Sequence, residues 1–538
     1  MACAQYQRIR RSVNEFRPAL GVLMLTSAVA CAAPPPLAPL GSLVVGLEAA
    51  PTTLDPRYGT DEKASLIGDL LYRGLTRLDR HGNPVPDLAI SWDAEPTRYV
   101  FRLRSGHVFH DGSAVSAADV RATYESVLDP ATGSPKRESI AAIERIETPD
   151  DHTVIFTLRE PFASFLDATG LGILPGRQLR PGRREVTVGC GPFRLASFER
   201  DTAIVLLPTV QPAGDAPRLP GVVFKIVPDD TVRALELSRG MLHLVQNAID
   251  PDMLGWLARN GDVLVESVPG TTFHYIGLNL RDPRLGILAV RQAIAHAIDR
   301  PAIIRHLLKN HGEPATGLLS PQHWAYAPGG PRYGYDPARA RALLDAAGFP
   351  DPDGPGPQPR FRLLYKGSSV QARRRLAEVL QEQLARVGIA LDLRSYEWGT
   401  LYADIRRGSF QVYALAWVGV SDPDIYYSLF HSAMTPPRGN NRGGFADAGV
   451  DALLEATRRT PDRDRRAELY REIQGALASQ LPIIPLWWAP NVAVHTTRLR
   501  GFEPQPQGSL LSLRRAWLDP GTDPAAADAL ARRAPTKG

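Results

Sequence analysis

The sequence predicts an α/β protein that is built from more than one lobe. A chain of 538 residues is longer than one hydrophobic core usually serves, and its 44% apolar and 22% charged content is typical of a globular protein. Residues 361–393 have the pattern of a strand, a helix and a strand, which implies a right-handed crossover between parallel neighbours. The predicted strand 410–417 then leads into the loop 418–424. Because α/β sheets place ligands at the carboxyl ends of their strands, this loop is the strongest pointer to a site.

The first 30 residues predict an export signal. A basic stretch precedes an apolar run at 19–25 that is too short to span a membrane as a mature helix. Two kinds of processing fit: residues 28–30 form an A-x-A cleavage site, whereas small residues directly before Cys31 resemble a bacterial lipobox, in which the cysteine is acylated. We expect a signal peptide at 1–30, lipidation at Cys31, and a Pro-rich tether at 31–41 that holds the folded body off a membrane.

Charge and cysteine content exclude several partners and cofactors. The formal net charge is +5, and the export signal carries three of those charges, so the rest of the chain offers no clustered basic face to a nucleic acid. One cysteine, Cys190, follows Cys31, which leaves no internal disulfide and no thiolate metal cluster. We expect a buried, inert thiol at Cys190, structural roles for His107 and His110, and no metal or other cofactor.

The first half of the body alternates predicted strands, turns and helices. A short apolar strand at 43–47 runs into a turn-rich loop that contains Thr52 and Thr53, and an amphipathic helix follows at 62–72. Residues 83–184 have the pattern of a small α+β lobe with one clearly capped helix. The two threonine hydroxyls can bond a ligand or satisfy the backbone of the turn.

The second half predicts helices before the strand-helix-strand unit. Residues 290–297 repeat apolar side chains at helical spacing, and Asp299 caps a second helix. The Asp-Pro pair at 336–337 begins a further helix, since proline is tolerated in the first turn. The basic run 373–375 lies on the helix of the later unit and predicts a solvated helix face.

Seven short motifs occur in order along the chain. They are 51–56 (PTTLDP), 85–89 (VPDLA), 109–113 (FHDGS), 189–193 (GCGPF), 290–294 (VRQAI), 335–337 (YDP), and Trp417 with 422–424 (DPD). Through them the sequence resembles the peptide/nickel-type extracellular solute-binding proteins of ABC importers, the group that holds the oligopeptide- and dipeptide-binding proteins. The likeness extends from about residue 42 to about residue 500.

The resemblance implies a fold of two α/β lobes joined by strands, with an extra α+β subdomain. Such a fold, the type II periplasmic-binding-protein arrangement, closes on its ligand like a hinge. The implied division is a first lobe at 42–81, 186–269 and 489–520, a subdomain at 82–185, a second lobe at 270–488, and a disordered tail at 521–538.

The resemblance also implies a function. The protein would be the substrate-binding subunit of an ABC importer, capturing peptides or similar small solutes between its lobes and delivering them to a membrane permease whose ATPase is a separate chain. We expect a monomer in the periplasm or on the cell surface. A periplasmic peptide hydrolase and a sensory or chaperone-like module remain alternatives. Because the sequence has no nucleophile-elbow, Walker or zinc-hydrolase motif, binding without catalysis is favoured.

The loop after Trp417 supplies most of the candidate ligand contacts. Trp417 either offers a flat apolar wall to a ligand or belongs to the core. In peptide-binding relatives an acidic residue shortly after this tryptophan anchors the ligand's amino terminus, but Gly419 and Val420 occupy the nearest positions here. We expect Gly419 and Ser421 to contact the ligand, and Asp422 to substitute as the carboxylate that holds a cationic group.

The other candidates lie on two separate segments. Tyr275 and Asn279 belong to a strand predicted to cross from one lobe to the other, and alternation turns one side of that strand toward the cleft. Thr52 and Thr53 follow the first strand and complete the predicted set. Asp424 either attracts a cation or caps the helix that follows it.

Overall fold

The structure, a computed structural model, describes residues 38–180, 185–210, 216–354 and 356–520. The predicted signal peptide, the predicted lipidation site Cys31 and the predicted tail lie outside these residues. No helix in the described part of the chain has both the length and the apolar character needed to cross a bilayer.

The described strands form one large mixed sheet, a four-stranded sheet and two small antiparallel pairs. In chain order they are β1 (Leu43–Leu47), β2 (Thr76–Leu78), β3 (Pro84–Pro86), β4 (Ala89–Glu95), β5 (Arg98–Leu103), β6 (Ile143–Asp150), β7 (Thr153–Leu158), β8 (Phe193–Glu199), β9 (Ala203–Pro208), β10 (Val222–Ile226), β11 (Leu244–Gln246), β12 (Val263–Leu278), β13 (Glu313–Pro314), β14 (Phe361–Ser368), β15 (Ile389–Tyr396), β16 (Val412–Trp417), β17 (Ile483–Thr496), β18 (Leu499–Arg500) and β19 (Trp517–Leu518).

Aspartate side chains cap the first turns of many helices, because their carboxylates accept hydrogen bonds from otherwise unpaired backbone amides. The α-helices are α1 (Glu62–Leu71), α2 (Ala117–Leu128), α3 (Phe165–Ala168), α4 (Asp230–Ser238), α5 (Pro251–Leu257), α6 (Leu288–Ala297), α7 (Arg300–Ala302), α8 (Pro337–Ala346), α9 (Gln371–Ala385), α10 (Trp398–Arg406), α11 (Ile425–Phe430), α12 (Ala448–Arg459) and α13 (Arg463–Gln480). Short 3₁₀ turns occur at Pro130–Thr132, Arg137–Ile140, Gly176–Gln178 and Leu511–Arg514.

The large sheet has the strand order β15-β14-β16-β12-β17-β11-β1-β10-β9-β8, and β13 pairs with β17 beside this path. β14 pairs in parallel with β15 and β16, which confirms the parallel neighbours predicted from the strand-helix-strand pattern. β1 also pairs in parallel with β10 and β11. The two parallel sections therefore flank a central antiparallel pair, β12 and β17.

The β12–β17 pair is long enough to belong to both lobes. The two strands contain 16 and 14 residues and pair along nearly their whole length. One half of the pair lies beside the parallel section that contains β1, and the other half lies beside the section that contains β14. The register of the pair shifts between Val268 and Thr272, so regular pairing is interrupted where the chain passes from one section to the other.

Separate hydrophobic cores support these parts of the molecule. One cluster surrounds β1, α1 and β10, and another fills the four-stranded sheet β4-β5-β7-β6 and its helix α2. Two more clusters lie on the section that contains β14, where Ile276 packs in one cluster and Tyr275 packs in the other. Because adjacent residues of a strand point to opposite faces, β12 is covered on both faces there.

Two local features lie close to predicted boundaries. β2 and β3 form an antiparallel hairpin, so the predicted boundary between residues 81 and 82 falls within its turn. Cys190 packs in the core of the four-stranded sheet, although its segment was assigned to the first lobe. We keep the names first lobe, subdomain and second lobe for the predicted ranges, and the rest of the division stays a proposal.

Asp299 caps α7 as predicted, and the helical segment continues as a π-helical turn at Ile303–Leu307. The prediction of a solvated face for the basic run 373–375 holds for Arg374, which is exposed, whereas Arg373 and Arg375 are partly buried. Arg375 pairs with Asp250 of the first lobe at 3.1 Å, which places the start of α9 against that lobe.

Gly270 lies in the irregular interval of the β12–β17 pair. A Cβ atom at this position would lie 2.2 Å from the carbonyl oxygen of Ala489 and 2.9 Å from the amide nitrogen of Asn491. Since both contacts are backbone atoms, they cannot move away without disturbing the pair. Glycine is therefore required by the close approach of the two strands.

We predict that Gly270→Ala lowers the free energy of unfolding by about 1–3 kcal/mol, the usual range for overpacking a buried site. The matched control is Gly261→Ala, since a Cβ atom there meets nothing within 4 Å. Thermal unfolding of the two variants beside the original chain checks the prediction. Equal midpoints for both variants would contradict it.

Candidate functional site

A cavity of about 590 Å³ lies between the first lobe, the subdomain and the second lobe, and we call it the inter-lobe cavity. This volume is within the range of small-molecule sites. Its lining consists of residues 53–56, 59, 64, 65, 68, 69, 72–74, 76–78, 87, 127, 136, 139, 140, 162, 164, 167, 168, 170–172, 192, 421, 422, 424, 507, 509, 511 and 514. Another cavity, of about 290 Å³, lies within the second lobe and contains none of the predicted site residues.

The loop after β16 reaches the inter-lobe cavity because its backbone turns sharply at Gly419. This residue has a φ of +66°, a left-handed conformation that glycine adopts without steric strain. The amide of Val420 donates to the carbonyl of Thr271 at 3.2 Å, and His323 Nε2 bonds to the carbonyl of Ser421 at 3.0 Å. These contacts fix the loop so that Ser421 and Asp422 face the cavity.

Asp422 stands in a hydrogen-bonded cluster at the contact between subdomain and second lobe. Its Oδ1 accepts from the Ser164 hydroxyl at 3.1 Å and from the Asp424 amide at 2.9 Å. Arg466 Nη2 donates to the same hydroxyl at 3.0 Å. Asp424 itself is held by Arg458 through two hydrogen bonds of 2.8 Å. Asp424 thus has a full guanidinium partner, whereas Asp422 bonds only to neutral groups among the described residues.

Burial controls the protonation of this cluster. Burial raises the pKa of Asp422 well above its ordinary value, and the negative charges of Asp167 and Asp424 raise it further. The pKa of Asp167 is raised to about 6, again mainly by burial, although Arg466 opposes the shift. The nearby arginines therefore compensate these two carboxylates incompletely. A cationic group that enters the cavity would favour the ionised form of these carboxyl groups and would be attracted by their negative charge.

The predicted residues divide into two groups. Thr53, Ser421 and Asp422 line the inter-lobe cavity. Thr53 also accepts the Asp55 amide at 3.1 Å, so its hydroxyl serves the turn as well. Thr52 lies just outside the lining and donates to Asp61, the N-cap of α1, at 2.5 Å.

Besides Thr52, four predicted contacts lie outside the lining of this cavity. Gly419 turns the loop, and Trp417 is partly buried with the guanidinium of Arg442 at 5.0 Å from its ring centroid. Tyr275 is 2% exposed, because the second-lobe core covers it. The side-chain amide of Asn279 donates to the carbonyls of Gly408 and Phe410, so it serves the backbone at the far end of β12.

Several lining residues were not predicted as site residues. Asp69 on α1, Lys136, Ser164 and Asp167 in the subdomain, and Arg514 near the carboxyl end all line the cavity. Asp69 accepts a hydrogen bond from Ser509, and burial raises its pKa to about 6. No sequence pattern marked these residues, since each stands in an ordinary local context.

His107, His110 and Cys190, which were considered for metal binding or reactivity, are surrounded by other groups of the protein. His110 Nδ1 accepts the Gly189 amide at 3.2 Å, and its Nε2 bonds to the carbonyl of Gly191 at 3.2 Å. Burial lowers the pKa of His107 and of His110 to about 4. Cys190 is fully buried, and burial raises the pKa of its thiol to about 12, which keeps the thiol protonated and inert.

Two lobes that share a central strand pair and line one cavity are the arrangement of hinge-closing binding proteins, which the resemblance implied. A family profile described as bacterial extracellular solute-binding proteins, family 5 Middle, matches residues 83–435, more than half of the chain. The chain belongs to this family, and it is a solute-binding protein rather than an enzyme.

Named relatives agree with this membership. A probable di/tripeptide-binding protein of Pseudomonas aeruginosa is 28% identical, over 87% of this chain and 94% of the relative. The structure of the oligopeptide-binding protein AppA of Bacillus subtilis with a nonapeptide has a TM-score of 0.82 at 25% identity, covering 89% of this chain and 99% of that chain. The periplasmic binding protein DppA of Helicobacter pylori with a bound peptide has a TM-score of 0.80 at 25% identity, covering 89% and 98%.

We predict that Asp167 makes stability depend on pH between about 4 and 6. Because its folded-state pKa is raised to about 6, the folded protein binds this proton more tightly than the unfolded chain does, and the resulting stability is lost as the pH rises through that window. Lowering the pH from 7 to 5 should therefore stabilise the original chain by about 1 kcal/mol relative to Asp167→Asn. Urea unfolding at both pH values measures the difference.

The control for this experiment is Asp201→Asn, which changes an exposed carboxylate outside the cavity. It should follow the original chain at both pH values. If the stability of Asp167→Asn changes with pH as much as that of the control, Asp167 is not the cause of the pH dependence.

Proposed function

We propose that this protein is the substrate-binding subunit of an ABC importer and that it captures short peptides in the inter-lobe cavity. The observation that supports this most is the position of the cavity, which is walled by both lobes and the subdomain and receives the loop after β16. Captured solute would be delivered to a membrane permease whose ATPase is a separate chain. The protein would work as a monomer and without a cofactor.

Contacts between the lobes support a capture mechanism by closure. The amide of Ala163 in the subdomain donates to the carbonyl of Arg458 in the second lobe at 2.8 Å. Elsewhere along the contact, Lys309 of the second lobe pairs with Asp252 of the first lobe at 2.8 Å. Opening the cavity by a hinge motion requires such contacts to separate, so this arrangement, with the lobes in contact, corresponds to the closed receptor.

The amino terminus of a peptide would bind beside Asp422. A peptide ammonium group donates charge-assisted hydrogen bonds, which are stronger than those between neutral groups. The carboxylates of Asp422 and Asp167 lie in a buried environment where the arginines compensate them incompletely. Asp422 would thus serve in place of the acidic residue that the resemblance to peptide-binding proteins implies nearer to the tryptophan.

We predict that Asp422→Asn abolishes the preference for peptides with a free amino terminus. The original chain should retain a mixed pool of di- and tripeptides about tenfold more tightly than the same pool after N-acetylation, since tenfold in affinity corresponds to about 1.4 kcal/mol. In Asp422→Asn the two pools should bind alike. Equilibrium dialysis with mass spectrometry of the retained peptides measures both affinities.

The matched control is Asp464→Asn, which changes an exposed second-lobe carboxylate outside the cavity lining. It should keep the preference of the original chain. Absence of saturable binding of either pool to the original chain would contradict the proposed function. A preference that survives in Asp422→Asn would contradict only the role of Asp422.

Extracellular or periplasmic location follows from the family, and we further propose that a lipid at Cys31 attaches the protein to the membrane. Small residues directly before Cys31, and the Pro-rich stretch after it, support the proposal.

We predict that Cys31→Ser prevents incorporation of labelled fatty acid and moves the protein from the membrane fraction to the soluble fraction of the producing bacterium. Equal labelling of both forms, or absence of label from the original chain, would contradict lipidation at Cys31.

A further inference from the structure

The cavity within the second lobe, which we call the second-lobe cavity, shares no lining residue with the inter-lobe cavity. Four aromatic rings contribute to its lining, those of Tyr333, Tyr335, Tyr426 and Phe430. Leucine, isoleucine, proline and alanine side chains form most of the remaining walls. The charged residues of the lining are Arg300 and Arg332, and no acidic residue of the described chain belongs to it. Apolar walls are thus combined with an excess of positive charge.

Arg300 is a buried cation without a counter-ion. It is 8% exposed, and its Nε donates to the carbonyl of Pro485 at 2.6 Å. Its Nη1 donates to the carbonyls of Tyr333 and Ala295 at 2.7 and 3.3 Å. Its Nη2 makes no hydrogen bond to the described part of the chain, and no carboxylate there forms an ion pair with it. Since Arg300 lines the second-lobe cavity, Nη2 is the nitrogen left for a ligand.

The surroundings of this guanidinium are unfavourable without an anion. Burial lowers the pKa of Arg300 to about 10, and no carboxylate of the described chain opposes the shift. Arginine is almost never buried unless it is paired, because an unpaired charge loses its hydration without compensation. An anion in the second-lobe cavity would supply that compensation.

Tyr426 supplies a second donor to the same cavity. Its side chain is 2% exposed, and no described residue accepts the proton of its hydroxyl. A buried tyrosine hydroxyl usually has a partner, so this one also lacks an acceptor. Arg332, which is exposed and makes no ion pair with the described chain, adds positive charge to the lining. The polar groups without partners are therefore all donors.

We propose that the second-lobe cavity is a further binding site, separate from the inter-lobe cavity, and that it takes a small aromatic monocarboxylate whose carboxylate pairs with Arg300. A planar guanidinium donates two parallel hydrogen bonds to a carboxylate. The ring of the ligand would pack against the aromatic side chains of the walls, since offset and edge-to-face contacts between rings are favourable. One buried guanidinium compensates one negative charge, which favours a monocarboxylate over a doubly charged phosphate.

The volume of the cavity agrees with a ligand of this size. It is about 290 Å³, near the lower end of the range of small-molecule sites. An apolar cavity of about 150 Å³ already accepts benzene. One ring with a carboxylate therefore fits. Because the two cavities have separate linings, this ligand and the solute of the inter-lobe cavity would bind at the same time.

Isothermal titration calorimetry of the full chain tests the proposal with three probes. Benzoate carries a ring and a negative charge, benzamide has the same ring without the charge, and hexanoate has the charge without a ring. The first variant is Arg300→Gln. The matched control is Arg305→Gln, which changes an exposed arginine of the adjacent π-helical turn outside the lining.

A second variant, Gly317→Leu, tests the site with Arg300 in place. Gly317 lines the cavity outside the left-handed region of backbone conformation, and a Cβ atom there would lie 3.7 Å from the Tyr426 hydroxyl, an ordinary contact. A leucine side chain at this position would occupy space that the ligand needs. Because Arg300 also bonds three backbone carbonyls, thermal unfolding establishes which variants are folded.

The original chain and Arg305→Gln should bind benzoate about tenfold more tightly than benzamide, and more tightly than hexanoate. Arg300→Gln should bind benzoate as weakly as the original chain binds benzamide. Gly317→Leu should bind benzoate at least about tenfold more weakly than the original chain. A saturating pool of di- and tripeptides should leave the benzoate affinity of the original chain unchanged.

The proposal is wrong if the original chain does not bind benzoate, or binds benzamide as tightly. An unchanged benzoate affinity in folded Gly317→Leu, or displacement of benzoate by the peptide pool, would also contradict it. Equal binding of hexanoate would contradict the aromatic class of the ligand. If Arg300→Gln does not fold, Gly317→Leu decides. None of these outcomes affects the proposed function, which depends on peptide binding in the inter-lobe cavity.

Discussion

The two-lobed architecture depends on the pairing of β12 with β17. Each strand contributes to both halves of the large sheet, so backbone hydrogen bonds join the lobes. Regular pairing is interrupted near Gly270, where the backbones are too close for any side chain. Rotation concentrated at this point would change the angle between the lobes while the parallel sections on either side keep their bonds. The inter-lobe cavity is then opened or closed by one strand pair.

Burial, more than the number of neighbouring charges, determines the pKa values of the ionisable side chains in the cavity. The pKa values of Asp422, Asp167 and Asp69 are all raised, with burial as the first cause in each case. Burial likewise lowers the pKa of Arg514. Ionisable side chains of both signs are thus held where their charged forms are poorly solvated. A ligand that brings opposite charges relieves this condition, and the relief is a source of affinity that neutral solutes lack.

The sequence predicted those elements whose pattern is complete within one segment. Alternation and helical spacing marked β14, α9 and β15, and the rule for parallel sheets then pointed to the loop that brings Ser421 and Asp422 to the cavity. No strand was predicted at β17. Pro485 and Pro490 interrupt its apolar pattern, and its partner β12 lies far earlier in the chain. The pairing that joins the lobes is therefore hidden from local patterns.

The remaining lining residues could not be predicted because packing of the lobes creates their proximity. Arg77 and Arg514 lie near opposite ends of the chain, and Asp167 belongs to a four-residue helix without a distinctive pattern. Tyr275 shows the converse. The alternation of side chains along the strand predicted that Tyr275 faces a cleft. In the second lobe, however, helices cover both faces of β12, so both faces belong to the hydrophobic core. Alternation identifies a cleft-facing side only where one face of a strand is open, and here the loops beyond the strands form the cavity.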